Sequence, residues 1–215
     1  CRLGNSGLEV SRLGLGAIPL GSVLNREESE QVIARFEEAG GNLIDTANIY
    51  GGGTRGTHTE RAGTSERMVG AVTKGKRDRF VIASKACWSM EDDVRPNDHG
   101  LSRATLTRHL EGSLTRLQTD YIDLYNLHGV VPQDYAYLVQ DIYPELQKAQ
   151  EQGKIRFVGL SEMFGEDMGH DMLQQALADD LWDVLMVGFN LLNQTARERA
   201  FETTAARSDS VWGVP

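Results

Sequence analysis

Short apolar runs alternate along this chain with longer segments in which apolar residues recur at helical spacing. Residues 13–17 read as a short first strand. Asn5-Ser6-Gly7, a turn signal between two short runs, predicts a β-hairpin over residues 2–11 ahead of it. A helix is expected over residues 26–39, with Val32, Ile33 and Phe36 on one face and Gly40-Gly41 as its stop. Residues 42–45 are strand two, and Thr64 or Ser65 opens a helix that ends near Gly75. Residues 80–84 are strand three. Leu106, Leu110, Leu114 and Leu117 mark a long amphipathic helix over residues 101–117. The same rhythm gives strand four at 122–127, a helix at 141–152, strand five at 155–160 and a helix at 168–180. Strand six at 184–187 and a helix at 195–206 follow, and residues 211–214 could begin a seventh strand.

Strands alternating with helices imply a parallel sheet. An open doubly wound sheet would carry a glycine-rich phosphate turn after strand one. Gly14-Leu15-Gly16 begins that pattern, but Pro19 stands at the third glycine position. A closed eight-fold barrel accounts better for polar residues that follow several different strands. Six units and the start of a seventh are legible where such a barrel needs eight. The fold expected is therefore α/β, a (β/α)8 barrel with an N-terminal hairpin, truncated after about six units. In domain terms it is one domain over residues 1–215, with strands seven and eight and their loops missing.

Four residues with proton chemistry fall at or just beyond the ends of these runs: Asp45 and Tyr50 after strand two, Lys85 after strand three, and His128 after strand four. Taken singly, each has an ordinary explanation: a loop tyrosine, a turn aspartate, a solvated lysine, a structural histidine. Meeting at the C-terminal mouth of a barrel, they would form a proton-donor site for carbonyl chemistry. Hydride addition to a carbonyl leaves an alkoxide that needs a positioned acid. A tyrosine, with an ordinary pKa of about 10, becomes a better donor beside an ammonium. An aspartate keeps that ammonium charged and oriented, and a histidine adds a hydrogen bond to the carbonyl oxygen and can assist proton transfer.

Composition narrows the partners. The net charge of −9 argues against a nucleic-acid or anionic-membrane partner. No run approaches the roughly 20 apolar residues of a membrane-spanning helix. Two cysteines, Cys1 and Cys87, form no disulfide framework, which points to a reducing, cytoplasmic setting. His58, His99 and His109 show no metal-ligand spacing, so no metal site is expected. Asn193-Gln194-Thr195 fits a glycosylation sequon, but nothing else suggests secretion.

The local sequences around the four residues resemble those of the aldo-keto reductases. Asp45-Thr-Ala-Asn-Ile-Tyr50 resembles the family's Asp-Thr-Ala-x-x-Tyr segment, and Ser84-Lys85 its strand-end lysine. Residues 120–128 resemble the strand leading to its histidine, and residues 154–161 its Lys-Ile-Arg-x-x-Gly-x-Ser strand. Residues 3–16 resemble its N-terminal hairpin. The resemblance implies a (β/α)8 barrel and NADP(H)-dependent interconversion of a carbonyl (aldehyde, ketone or sugar) with its alcohol, NAD(H) being the less expected cofactor. It implies Tyr50 as general acid, Lys85 and Asp45 as its tuning pair and His128 as polariser. Asp45, Ser161, Glu162 and Met186 fall at cofactor positions, and Trp88 joins His128 in lining the substrate pocket.

The chain departs from the family pattern in places. Glu162 stands where the family often has Asn, and Met186 where it often has Gln, so two familiar carboxamide contacts are altered. The strands and loops that grip the cofactor pyrophosphate and 2′-phosphate in the family are expected to be missing from these 215 residues. A non-catalytic, aldo-keto-reductase-like binding or regulatory protein is the alternative reading. The joint presence of Tyr50, Lys85 and His128 favours the enzyme.

Overall fold

A computed structural model describes residues 1–3, 6–51, 62–86, 101–207 and 210–214, the side chains of 205–207 and 210–214 aside. Seven parallel strands lie in sequence order: β1 (Leu15–Gly16), β2 (Leu43–Asp45), β3 (Val81–Ala86), β4 (Ile122–Val130), β5 (Ile155–Glu162), β6 (Val184–Gly188) and β7 (Ser210–Val214). Neighbours pair in register, Lys85 with Asn126, His128 with Ser161, and Ser161 with Met186. The arrangement is that of a (β/α)8 barrel curling around one lumen. The seventh strand, whose start the sequence placed at residues 211–214, runs over Ser210–Val214 and pairs residue for residue with Val184–Gly188.

The helices connect the strands on the outer face: α1 (Arg26–Glu38), α2 (Thr64–Thr73), α3 (Arg103–Leu117), α4 (Tyr135–Tyr137), α5 (Tyr143–Glu151), α6 (Asp171–Asp179) and α7 (Glu202–Arg207). Local chemistry sets their starts. Asn25 accepts from the Glu28 amide while its own amide donates to the Glu28 carboxylate, a reciprocal cap on α1. Ser102 caps α3 through the Thr105 amide. Two π-helical turns, Leu138–Ile142 ahead of α5 and Arg197–Phe201 ahead of α7, were not legible in the periodicity. Each adds a residue to the turn and shifts the apolar stripe.

Side chains alternate along each strand between the helices and the lumen. Ile44, Ile82, Tyr125, Leu127, Val158, Leu160, Leu185 and Val187 pack outward in the main core. Leu43, Val81, Ala83, Leu124 and Val184 face inward, with Phe157 packed against them. The N-terminal hairpin plugs this inner cluster with Leu3, Leu8 and Val10. Its two arms are joined by the Leu3 amide on the Leu8 carbonyl at 2.8 Å. Asn42 fastens the plug to the start of β2, accepting from the Ser11 amide and donating to the Glu9 carbonyl. One end of the lumen is therefore closed by apolar packing, and the polar residues are left to the other.

A buried polar tie fixes β3 against the helices. Ser84 donates to one oxygen of Glu66 on α2 at 2.5 Å, and Arg116 on α3 donates to the other at 2.6 Å. The close crossing of α2 and α3 depends on Gly70, where an added Cβ would lie 2.5 Å from the Leu117 carbonyl carbon and oxygen. Backbone on the far side cannot yield as a side chain can. Gly70→Ala is expected to destabilise the fold by about 1–3 kcal/mol, despite the ~1 kcal/mol that alanine gains over glycine in a helix interior. Urea denaturation checks this; an unchanged or raised midpoint would contradict it.

Candidate active site

Strand alternation delivers the polar residues to one place. Asp45 follows Leu43 by two on β2, Lys85 follows Ala83 by two on β3, and His128 follows Leu124 by four on β4, so all three face the lumen beyond the apolar plug. Tyr50 comes from the turn after β2, and that turn is well held. The Tyr50 amide donates to the Ala47 carbonyl, the Asn48 amide to the Lys85 carbonyl, and the Ser65 amide to the Tyr50 carbonyl. The Ser65 hydroxyl lies 2.9 Å from that of Thr46 and donates to the Ala17 carbonyl, joining the turn to α2 and β1.

The centre of the site is the Lys85 ammonium, which has no solvent exposure. It donates to Asp45 Oδ1 at 2.5 Å, to the Thr46 carbonyl at 3.0 Å and to the Tyr50 hydroxyl at 3.0 Å. Three acceptors match the three protons of a charged amine. Burial works to lower the Lys85 pKa, but the charge of Asp45 and the neighbouring Tyr50 outweigh it, and the ammonium is held above its ordinary value. Burial pushes the Asp45 carboxyl upward against the pull of Lys85. The threefold hydrogen bonding decides between these opposed tendencies in favour of the ion pair. The ammonium also lies 4.6 Å from the centre of the Tyr50 ring.

His128 meets Tyr50 edge to face, with ring centroids 5.9 Å apart. Burial and the Lys85 charge push its pKa down to about 3, so the imidazole is neutral near pH 7. Its Nδ1 is buried and makes no hydrogen bond. A neutral ring suits the role expected from the sequence, a hydrogen bond to the carbonyl oxygen.

The residues expected at the cofactor divide. Ser161 and Met186 stand level with His128 on the lumen face of β5 and β6. Glu162, one residue on, points to the helix side. Its carboxylate takes the Gly188 amide at 2.6 Å and lies 2.8 Å from His170 Nδ1. Burial pushes its pKa up, while His170 and the Gly188 amide pull the other way. Trp88 and Cys87 lie outside the described residues, as does the segment 52–61 after Tyr50. Among the described residues no group of His, Cys, Asp and Glu side chains could hold a metal ion.

Two features escaped the sequence. Asn126 faces the lumen beside Lys85 in register, fully buried, with neither amide atom hydrogen-bonded. Its position two residues before His128 on one face was the available signal. Nothing in the sequence singles out His170, whose link to Glu162 is made across a loop.

The profile of the Aldo/keto reductase family matches residues 12–211. The chain belongs to the aldo/keto reductase family. It is 35% identical over 168 residues to YrpG, an uncharacterised oxidoreductase of Bacillus subtilis, a match covering 76% of this chain and 49% of that protein. It is 33% identical over 165 residues to an L-galactose dehydrogenase of Arabidopsis thaliana, covering 74% and 47%. The chain thus spans about half the length of these curated relatives. Among solved structures, a putative aldo-keto reductase from Pseudomonas aeruginosa superposes with a TM-score of 0.79 at 31% identity, covering 99% of this chain and 76% of that one. An aldo-keto reductase from Bacillus halodurans, in its holo form, gives 0.80 at 27% identity, covering 99% and 64%.

The depressed His128 pKa carries a consequence for stability. The unfolded ring takes up a proton near pH 6.5, and the folded ring refuses it until about pH 3. The unfolded state therefore binds more protons in that window, and this contribution to stability is lost as the pH falls through it. His128→Gln should remove the term, so its stability relative to wild type should rise between pH 6.5 and 4. Urea midpoints measured across that range check this, and a difference independent of pH would contradict it.

Proposed function

We propose that the protein is an NADP(H)-dependent oxidoreductase that interconverts an aldehyde, ketone or sugar carbonyl with its alcohol, with Tyr50 as general acid and base. The observation that carries this reading is the buried ammonium of Lys85 shared among Asp45, Thr46 and the Tyr50 hydroxyl. A phenol oxygen that accepts from an ammonium keeps its own hydrogen to donate. A binding module has no need of such a costly buried charge.

The residues fit a nicotinamide at the mouth. Ser161 presents a hydroxyl on the lumen face of β5, and Met186 stands beside it on β6. Ser161, Met186 and Asp45 are the residues that would hold it. When bound, the reduced nicotinamide supplies the hydride. In the reduction direction Tyr50 gives its proton to the carbonyl oxygen as negative charge develops there. Lys85 stabilises the phenolate left behind, and Asp45 balances the Lys85 charge. Neutral His128 carries one N–H, enough for one hydrogen bond to the same oxygen. In the oxidation direction the Tyr50 phenolate takes the alcohol proton.

The preference for NADP(H) over NAD(H) follows the family resemblance, and the small-molecule carbonyl partner follows the same chemistry. The two-cysteine composition supports a cytoplasmic location, and among the described residues no helix is long and apolar enough to cross a membrane. Trp88 is proposed with His128 as part of the substrate wall.

Tyr50→Phe keeps the ring and removes the donor oxygen. It is expected to lower kcat by roughly 10²- to 10⁴-fold, the range of a positioned acid, with thermal unfolding little changed. Steady-state assay at the nicotinamide absorbance band, over a panel of carbonyls and alcohols, measures it. A variant keeping more than about a tenth of the wild-type rate would remove Tyr50 from this role.

A further inference from the structure

The Glu162 carboxylate stands at the meeting of four segments. Its own residue ends β5, and the amide it accepts belongs to Gly188, which ends β6. The β5–β6 ladder runs only as far as Ser161 and Met186, so this side chain extends the seam beyond the last backbone pairing. The same carboxylate meets His170 Nδ1 at 2.8 and 3.1 Å, and His170 immediately precedes α6 in a left-handed conformation, φ 60°. Across the ring, His170 Nε2 lies 2.9 Å from the Thr195 hydroxyl, in the turn that follows Phe189-Asn190.

Thr195 has one hydroxyl hydrogen and two oxygen acceptors near it, the Met168 carbonyl at 3.0 Å and Asn193 Oδ1 at 2.5 Å. The Asn193 oxygen is identified as an acceptor by the Thr195 amide it also receives. His170 Nε2 pairs with the Thr195 hydroxyl at 2.9 Å and Nδ1 with the Glu162 carboxylate at 2.8 Å, the tautomer setting which atom donates. Both members are buried, and every polar atom of the pair is engaged. Phe164 completes the arrangement: its ring stacks on His170 at 5.7 Å and 22°, and it occupies the space a Cβ on Gly188 would need, 2.2 Å away. Gly188 is thus fixed on one side by hydrogen bonding and on the other by an aromatic ring.

We infer that Glu162 and His170 are a positioning pair that holds the tip of β6, with Phe164 seated against it, as one wall of the nicotinamide seat, so that Glu162 serves cofactor binding through Gly188 rather than by touching the carboxamide. This rests on the oxidoreductase reading. The chain's departure from Asn at this position then has a physical meaning. An asparagine is one carbon shorter and lacks the second acceptor needed to take the Gly188 amide and the His170 proton together.

The test uses three variants and two readouts. His170→Phe keeps an aromatic ring against Phe164 and removes both hydrogen bonds. Thr195→Val, at an exposed position, removes the hydroxyl that meets Nε2, along with its bonds to the Met168 carbonyl and Asn193 Oδ1, and leaves the Glu162–His170 contact in place. Glu162→Gln keeps the geometry, since its amide oxygen can accept from Gly188 and its NH2 can donate to Nδ1. Hydrogen exchange at the Gly188 amide reports the pair without any cofactor, and NADPH titration by fluorescence reports its consequence. His170→Phe should accelerate Gly188 exchange and weaken NADPH binding roughly tenfold, the scale of one charge-assisted hydrogen bond, with the loss in KM for cofactor exceeding that in kcat. Thr195→Val should change both in the same sense by less, and Glu162→Gln should lie between wild type and His170→Phe. Equal NADPH affinity in wild type, His170→Phe and Thr195→Val would overturn the inference. So would a Gly188 amide that exchanges freely in the wild type, or a Glu162→Gln variant worse than His170→Phe. A wild type that binds NADPH but turns over no carbonyl would count against the oxidoreductase reading alone.

Discussion

A fully buried ammonium must be surrounded by acceptors, and the architecture around Lys85 meets that demand. Desolvating a charge of this kind carries a penalty of several kcal/mol unless its partners are in place. The three acceptors come from three successive pieces of chain: the end of β2, the peptide that follows it and the turn carrying Tyr50. They can converge only if β2 and β3 keep their register and the turn is held. The Thr46–Ser65–Ala17 hydroxyl chain and the Glu66 tie from Ser84 to Arg116 supply that hold. The same ammonium acts on its neighbours, and together with burial it keeps His128 neutral.

The lumen is divided by polarity along its length. At the N-terminal end Leu3, Leu8 and Val10 of the hairpin close it against Leu43, Val81 and Leu124. Two to four residues further along the strands, the inward positions become Asp45, Lys85, Asn126 and His128. Parallel barrels place chemistry at this second end, where loops rather than the plug cover the strands. The apolar end makes the polar end possible, because it excludes water from beneath the ion pair and leaves its electrostatics unscreened.

The strands and most helices were legible in the sequence because a parallel sheet buried on both faces gives dense apolar runs, and helices such as 101–117 repeat leucines at helical spacing. The candidate site was legible because Asp45, Lys85 and His128 each interrupt such a run near its end. Strand ends were read short: β4 continues to Val130, and His128 lies inside it rather than at its tip. The π turns were missed because one extra residue per turn leaves no compositional mark. The orientation of Glu162 was hidden for a different reason. Period-2 alternation places it on the helix face, but only the folded loop brings His170 and the Gly188 amide to it.

The central claim is that Asp45, Lys85 and Tyr50 act as one proton-donor unit. A double-mutant cycle on kcat with Asp45→Asn, Lys85→Met and the two together tests it most directly. If Asp45 works by holding a charged Lys85 against Tyr50, then Lys85→Met should cost far more than Asp45→Asn. The double variant should then lose little beyond Lys85→Met alone, a strongly non-additive result. Losses that simply add would mean that the two residues act independently, and the account of the buried ion pair as the tuning element of the site would fail.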